Sequence, residues 1–222
     1  MNKILDEGAL AIIRVFKDRI LLDCQLDGEM EAIVGKPINF ATLVEALKPT
    51  PITTGPLPPN CLHFEYRDGT VQLSVWIPAH KQKIITETAV YQVPLPPMIL
   101  VGRERNYRLY ALRDDGISEQ GAPKPRAKLF WPPLSNIMGG GNICAGANKF
   151  PVAGPRTIWM VWRELWESQF TSHVISGRCI SEAGDIRRLW RRLDGQDKFP
   201  NQELVAYQGT YDVLGITGEF AL

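Results

Sequence analysis

The residue with the most evident chemical use is a single thiol at the end of a glycine-rich stretch. Residues 131–146 open with a double proline, pass Asn136, and run through three consecutive glycines, 139–141, to Cys144. Consecutive glycines permit left-handed or strained backbone at an entropic cost. The pattern therefore predicts a sulfur held in an exposed position, where a thiolate can act as a nucleophile. A surface loop beside a buried structural cysteine is the alternative, because free cysteine is often buried.

The spacing of these residues resembles the catalytic motif of ubiquitin-conjugating enzymes. Those enzymes carry His-Pro-Asn, a short loop, and then Gly-x-Ile-Cys with the catalytic cysteine. In this chain Asn136 stands eight positions before Cys144, and residues 141–144 read Gly-Asn-Ile-Cys. The chain departs from the motif at Leu134-Ser135, where the eukaryotic enzymes have His-Pro.

The likeness covers residues 84–173 and is to the bacterial branch of that family. It includes Pro-Leu-Pro-Pro at 94–97 and the Leu-Phe-Trp-Pro-Pro segment that precedes Asn136. The branch contains protein B of plasmid cassettes with ParB-related and ThiF-related proteins, and the conjugating enzymes of bacterial ubiquitin-like antiphage operons. The resemblance implies an α+β fold, a ubiquitin-conjugating-enzyme-like antiparallel meander sheet with flanking helices and an extended Gly-rich active-site loop.

The resemblance also implies a reaction and its partners. Cys144 would receive a ubiquitin-like protein as a thioester from a ThiF-type activating enzyme. It would then pass that protein to an amine on a protein acceptor, as part of a bacterial antiphage or plasmid operon. A thiol suits this work, because a thiolate is nucleophilic near neutral pH and its thioester stays reactive toward amines. No cofactor is expected.

Three further residues are candidates for supporting this chemistry. Asn136 has a side-chain amide that can stabilise the oxyanion of a tetrahedral intermediate or tie the glycine loop to backbone groups, and both roles can hold at once. Gly141 is expected to serve loop geometry. His173, in a Phe-Thr-Ser-His segment that resembles one in the bacterial relatives, is either a neighbour of Cys144 or a structural histidine.

Two functions from other classes stay open at the level of the sequence. A non-catalytic scaffold could bind a ubiquitin-like protein through the same fold and would form no covalent adduct. Another cysteine-dependent acyltransferase or hydrolase would need a Cys–His pair in space, for which His173 is the candidate partner of Cys144.

Composition bounds the partners and the compartment. The 222 residues are 45% hydrophobic and 22% charged with a formal charge of +1, which gives no electrostatic case for nucleic acid or membrane as a main partner. Four widely separated cysteines, at 24, 61, 144 and 179, lack the spacing of metal ligands, so no metal site is expected. No signal-peptide pattern is evident, which predicts a cytoplasmic protein with reduced thiols.

Periodicity predicts two regions along the chain. Residues 1–60 are expected to form an N-terminal extension packed on the main domain, with a β-hairpin at 9–26 and a short helix from Phe40 to Leu47. Prolines between 50 and 60 mark the connector. Residues 61–222 are expected to form the conjugating-enzyme-like catalytic domain with its C-terminal helices.

Within the main domain, alternating and helical patterns predict the individual elements. Strands are expected at 62–66, 71–77, 86–93, 98–101 and 107–112. One helix is expected to be capped by Thr157 and to run to Phe170, and another to span 181–193, each with one apolar face. The tail, residues 201–222, shows strand-like alternation near 205–214 with no evident place in the fold.

Overall fold

The fold is described from a computed structural model that covers residues 11–25, 32–41, 55–67, 69–146, 149–212 and 215–217. The chain divides into two compact units, Met1–Gly55 and Pro56–Leu222. Each unit is built around its own antiparallel sheet. No helix in the described ranges is long and apolar enough to cross a membrane.

The first unit contains a three-stranded sheet. Its strands are β1 (Ala11–Val15), β2 (Ile20–Gln25) and β3 (Ala32–Ile38), paired in that order. The hairpin predicted at 9–26 is present, because β1 pairs with β2 in antiparallel register from Ala11↔Cys24 to Val15↔Ile20. Most of the helix predicted from Phe40 to Leu47 lies outside the described residues, which resume at Gly55.

The second unit is organised around a seven-stranded antiparallel sheet. Its strands are β4 (Cys61–Arg67), β5 (Thr70–Ile77), β8 (Met98–Arg103), β9 (Asn106–Ala111), β10 (Lys128–Phe130), β11 (Ala206–Asp212) and β12 (Gly215–Thr217). They are ordered β12-β11-β10-β9-β8-β5-β4. The segment near 205–214, which had no assigned place from the sequence, therefore contributes β11, and β11 and β12 form one edge of the sheet.

Both faces of this sheet are covered by apolar residues. Along β8, Met98 and Leu100 belong to the larger core, whereas Ile99 and Val101 belong to a smaller one. This is the period-two alternation of a strand. Because neither face of β8 meets solvent, its sequence is a continuous hydrophobic run.

A separate hairpin stands between β5 and β8 in sequence. It consists of β6 (His80–Ile85) and β7 (Val90–Leu95). The strand predicted near 86–93 is present as β7, but it begins only at Val90, and β6 was not predicted, because the chain turns at Thr86. The Thr86 hydroxyl donates to the Ala89 carbonyl at 2.8 Å and accepts from the Ala89 N–H at 3.0 Å. Threonine can hold a turn through such local bonds, which strand periodicity does not register.

Two helices contact that hairpin. α1 (Ile158–Glu167) contacts β6 and α2 (Ile186–Leu193) contacts β7. α1 is three residues shorter than predicted. Thr157 occupies the predicted N-cap position but makes no side-chain capping bond, because its hydroxyl donates to the Val152 and Gly154 carbonyls. α2 begins at Ile186 rather than 181.

The start of α2 is set by its cap. The side chain of Asp185 accepts from the N–H of Arg187 at 3.0 Å, which is the capping bond that a helix start favours. With antiparallel sheets and flanking helices, the predicted α+β class is confirmed.

Candidate active site

The candidate site is a small hairpin that places Asn136 directly opposite Cys144. The Cys144 N–H donates to the Asn136 carbonyl at 2.8 Å, and the Met138 N–H donates to the Asn142 carbonyl at 2.7 Å. The glycines at 139–141 form the 3-10 turn that joins the two arms. The eight-residue spacing read from the sequence is thus the length of one hairpin. We call residues 136–144 the cysteine hairpin.

The cysteine hairpin is attached to a vacant part of the edge of β9. β10 pairs with β9 only at Phe130↔Ala111, so the earlier residues of β9 need another partner on that side. The second arm of the hairpin supplies it: Arg108 forms an antiparallel bridge with Asn142, and the Ile143 N–H donates to the Tyr107 carbonyl at 2.8 Å. The main sheet therefore holds the residue next to Cys144.

The glycine turn lies directly over Tyr110. Gly140 and Gly141 have φ values of 67° and 81°, in the left-handed region that favours glycine. The hydroxyl of the fully buried Tyr110 donates to the Gly140 carbonyl at 2.9 Å. A Cβ on Gly141 would lie 2.9 Å from Tyr110 Cε1 and 3.1 Å from the Leu109 carbonyl oxygen. Only glycine fits at position 141 without strain.

The side chain of Asn142 bonds the glycine turn to itself and to β9. Its side-chain nitrogen donates to the Gly139 carbonyl at 2.7 Å, and its side-chain oxygen accepts from Arg108 Nε at 3.2 Å. These bonds join the turn to a side chain of β9, so the turn is restrained from two directions.

Asn136 connects the cysteine hairpin to the segment that follows α1. Its backbone is left-handed, with a φ of 61°. Its Nδ2 donates to the Gln169 carbonyl at 3.0 Å, and its Oδ1 accepts from the Thr171 N–H at 3.4 Å and the Thr171 hydroxyl at 3.1 Å. These contacts join Asn136 to the segment that follows α1 rather than to the glycines, so its role in bracing the loop stays a prediction. An amide nitrogen carries two N–H donors, so the oxyanion role stays a prediction.

A buried arginine supports the first arm of the hairpin from the same segment. Arg178 is 6% exposed, and its guanidinium lies 4.2 Å from the centre of the Trp131 ring. Its Nη2 donates to the Ile137 carbonyl. Burial lowers the pKa of the Arg178 guanidinium. Holding a cation there is costly, and the hydrogen bond and the ring face offset part of that cost.

The departure from the His-Pro-Asn motif corresponds to apolar packing. Leu134 is fully buried in the larger core, and the next residue, Ser135, is fully buried as well. Above them, Nε1 of the buried Trp190 in α2 donates to the Pro133 carbonyl at 2.9 Å. The double proline is thereby bonded to α2, and Leu134 at the histidine position of the His-Pro-Asn motif contributes apolar packing instead of a hydrogen bond.

His173 lies beside Asn136, and its bonds involve backbone atoms. The Asn136 N–H donates to the His173 carbonyl at 3.5 Å, and the His173 N–H donates to the Thr171 hydroxyl at 3.4 Å. The residue is exposed, and among the described residues no hydrogen bond joins its ring to Cys144. In the Phe-Thr-Ser-His segment it is Thr171 whose side chain reaches Asn136.

The cysteines differ in exposure. Cys144 is exposed, Cys61 is half-buried and Cys179 is 1% exposed. Burial raises the pKa of the Cys61 thiol and that of the Cys179 thiol, which keeps both in the less nucleophilic protonated form. Of these three thiols, Cys144 is the one presented to solvent.

Comparison with known families identifies the chain. A family model described as prokaryotic E2 family D matches residues 39–207, well over half of the sequence. The chain belongs to prokaryotic E2 family D. The resemblance to bacterial conjugating enzymes is thereby confirmed, and with it a conjugating-enzyme-like role in the transferase class. Neither a comparison with curated proteins nor one with solved structures found a match.

The matched region of this E2 chain includes both arms of the cysteine hairpin and the segment that braces it. Membership implies interaction with a ubiquitin-like protein and an activating enzyme in general terms. Sequence reasoning missed several residues that bond to the cysteine hairpin: Arg108, Tyr110, Asn142, Gln169, Thr171 and Arg178. Asn142 carried a local signal, since it is the variable residue of the Gly-x-Ile-Cys motif.

Proposed function

We propose that this E2 chain carries a ubiquitin-like protein as a thioester on Cys144 and transfers it to an acceptor amine. The observation that supports the proposal is the exposed thiol of Cys144, held opposite Asn136 within a region that matches prokaryotic E2 family D. The expected partners are a ubiquitin-like protein, a ThiF-type activating enzyme and a protein acceptor, in a bacterial antiphage or plasmid operon.

Loading is an exchange of thioesters. The Cys144 thiolate attacks the carbonyl carbon at the carboxyl terminus of the ubiquitin-like protein, which is bound to a cysteine of the activating enzyme. The new S–C bond forms, the older S–C bond breaks, and the cysteine of the activating enzyme leaves as a thiolate. A thiol is required, because an oxyester would be a poorer acyl donor to an amine.

Discharge forms a tetrahedral intermediate. The acceptor amine attacks the thioester carbon, the C–S bond breaks, and Cys144 leaves as a thiolate while the nitrogen loses a proton. Asn136 is the proposed oxyanion donor through the N–H that does not bond to Gln169. His173 and Gly141 support the step, His173 through its backbone beside Asn136 and Gly141 through the geometry of the turn.

Loading is tested by mixing the chain with its activating enzyme, ATP and the ubiquitin-like protein. One adduct should form and should be reversed by added thiol. Cys144→Ser should give a thiol-resistant oxyester or no adduct, and Cys144→Ala should give none. Cys61→Ala and Cys179→Ala are matched controls and should load normally. Loading of Cys144→Ala, together with loss in a control, would assign the reaction to another sulfur.

The test also separates the alternatives. A scaffold that binds the ubiquitin-like protein without chemistry would form a complex that dissociates in denaturant. A cysteine hydrolase would release the ubiquitin-like protein to water at the same rate with or without an acceptor amine. Either result would replace the proposed transfer.

A further inference from the structure

A cavity of about 330 Å³ opens in the loop that joins β9 to β10. Four cationic residues line it, Arg113, Lys124, Arg126 and Lys128, and Asp115 is the acidic residue among them. Pockets for small ligands have volumes of about 300–1,000 Å³. The cavity thus combines a volume suited to a small ligand with an excess of positive charge. We call it the basic cavity.

No carboxylate forms an ion pair with these four cations in the part of the chain that the structure describes. Other cations of the same unit are paired at 2.6–2.8 Å, namely Lys81 with Asp197, Arg187 with Asp185, Arg192 with Glu203, and Lys198 with Asp114. Asp114 precedes Asp115 in sequence, but its carboxylate is engaged by Lys198. The charge of the basic cavity is therefore not balanced by the surrounding fold.

Several of the cavity groups are held in place. The guanidinium of Arg113 lies 4.5 Å from the centre of the Phe130 ring, and that ring is 6% exposed. Lys124 Nζ donates to the Asp115 backbone carbonyl at 2.9 Å. Side chains already ordered in this way lose less conformational entropy when a ligand binds.

We propose that the basic cavity binds a small anion with two or more phosphoryl groups. Four cations and one carboxylate leave an excess of positive charge that a ligand with several negative charges would neutralise. Linked phosphoryl groups carry more negative charge in a small volume than a single carboxylate does. Arginine binds phosphate through parallel N–H donors, and lysine binds it as a point charge.

The binding is tested on the full chain by calorimetric titration with sodium tripolyphosphate. The expected result is saturable one-to-one binding that weakens as ionic strength rises. The double variant Arg113→Gln/Lys128→Gln should weaken binding by about tenfold or more, because each lost partner is a charge-assisted hydrogen bond. The control Lys83→Gln/Arg156→Gln removes two exposed cations outside the cavity and should leave the dissociation constant within about twofold, the effect of a distant screened charge.

A variant with the opposite expected sign guards against a simple loss of folding. Asp115→Asn removes the carboxylate of the cavity and keeps the backbone carbonyl that Lys124 uses. It should tighten tripolyphosphate binding by roughly two- to fivefold, since repulsion at an exposed site is modest. Thermal melts of all variants check that the fold is intact.

Four results would overturn the proposal. They are no binding to the unaltered chain, equal weakening in the control, weaker binding after Asp115→Asn, and tighter binding of citrate or a single-stranded oligonucleotide than of tripolyphosphate. The last would assign the cavity to carboxylates or to nucleic acid. Cys144 takes no part in these measurements, so the outcome is independent of the proposed thioester chemistry.

Discussion

Replacing Gly141 tests whether the glycine turn is a strained platform for Cys144. Two costs act at this position. An alanine with a φ of 81° lies in the left-handed region, which costs about 1–2 kcal/mol. Its Cβ would also lie 2.9 Å from Tyr110 Cε1 and 3.1 Å from the Leu109 carbonyl oxygen. Tyr110 is fully buried and bonded to the turn, so it cannot move aside, and overpacking adds about 1–3 kcal/mol.

Two nearby glycines separate these costs. Gly146 has a φ of 59° and no atom within 4 Å of an added Cβ, so Gly146→Ala isolates the backbone cost. Gly139 has neither a positive φ nor a close neighbour, so Gly139→Ala should stabilise by about 0.4–1 kcal/mol through the unfolded state. Gly141→Ala should destabilise by about 2–5 kcal/mol and Gly146→Ala by about 1–2 kcal/mol.

The assay is urea denaturation of the three variants beside the unaltered chain, followed by single-turnover loading of Cys144. Loading of Gly141→Ala should slow by on the order of tenfold, because small displacements of a reacting group are costly. Gly139→Ala should load normally. If Gly141→Ala unfolds at the same urea concentration as Gly139→Ala, the reasoning from φ and from the Tyr110 contact is refuted.

Four further residues give testable outcomes. Asn136→Ala, loaded beforehand, should discharge about 10²–10³-fold more slowly in single-turnover kinetics if its amide serves the oxyanion, and a normal rate would leave it a bracing role alone. Arg178→Met should slow loading on the order of tenfold, because the Ile137 carbonyl loses its donor, and Arg178→Lys should retain more of the loading rate. Equal loading rates for both variants and the unaltered chain would contradict a role for Arg178 in supporting the cysteine hairpin. Iodoacetamide at neutral pH should modify Cys144 at least about tenfold faster than Cys61, because burial raises the pKa of the Cys61 thiol. Mass spectrometry measures both rates, and faster modification of Cys61 would contradict the exposure of Cys144. Asp185→Ala should lower the free energy of unfolding by about 1 kcal/mol through loss of the α2 cap. The hydrogen bond to Arg187 lowers the pKa of Asp185, so this stabilisation is present above the usual carboxyl pKa and is lost as pH falls through the pKa of the folded state. If denaturation of Asp185→Ala shows the same acid dependence as that of the unaltered chain, the stabilising role of the Asp185 carboxylate is contradicted.

The sequence by itself indicated a candidate nucleophile, the family resemblance and many of the elements. Cys144 stood out by its glycines and by its distance from Asn136, because a hairpin of this length is a local feature. Alternation also located β5, a continuous apolar run located β8, and helical periodicity located α1, because burial of one face or of both faces is recorded in neighbouring residues. Errors fell where side chains bond locally to backbone, as at Thr86 and Thr157.

Only the tertiary structure decided what holds the cysteine hairpin. Asn136 bonds to Gln169 across 33 positions, and Arg178 to the Ile137 carbonyl across 41. The edge of β9 accepts the hairpin because β10 leaves it after one pair. Periodicity records only which face of an element is buried. Partners so far apart in sequence are chosen by the path of the chain and by the need of buried backbone groups for hydrogen bonds.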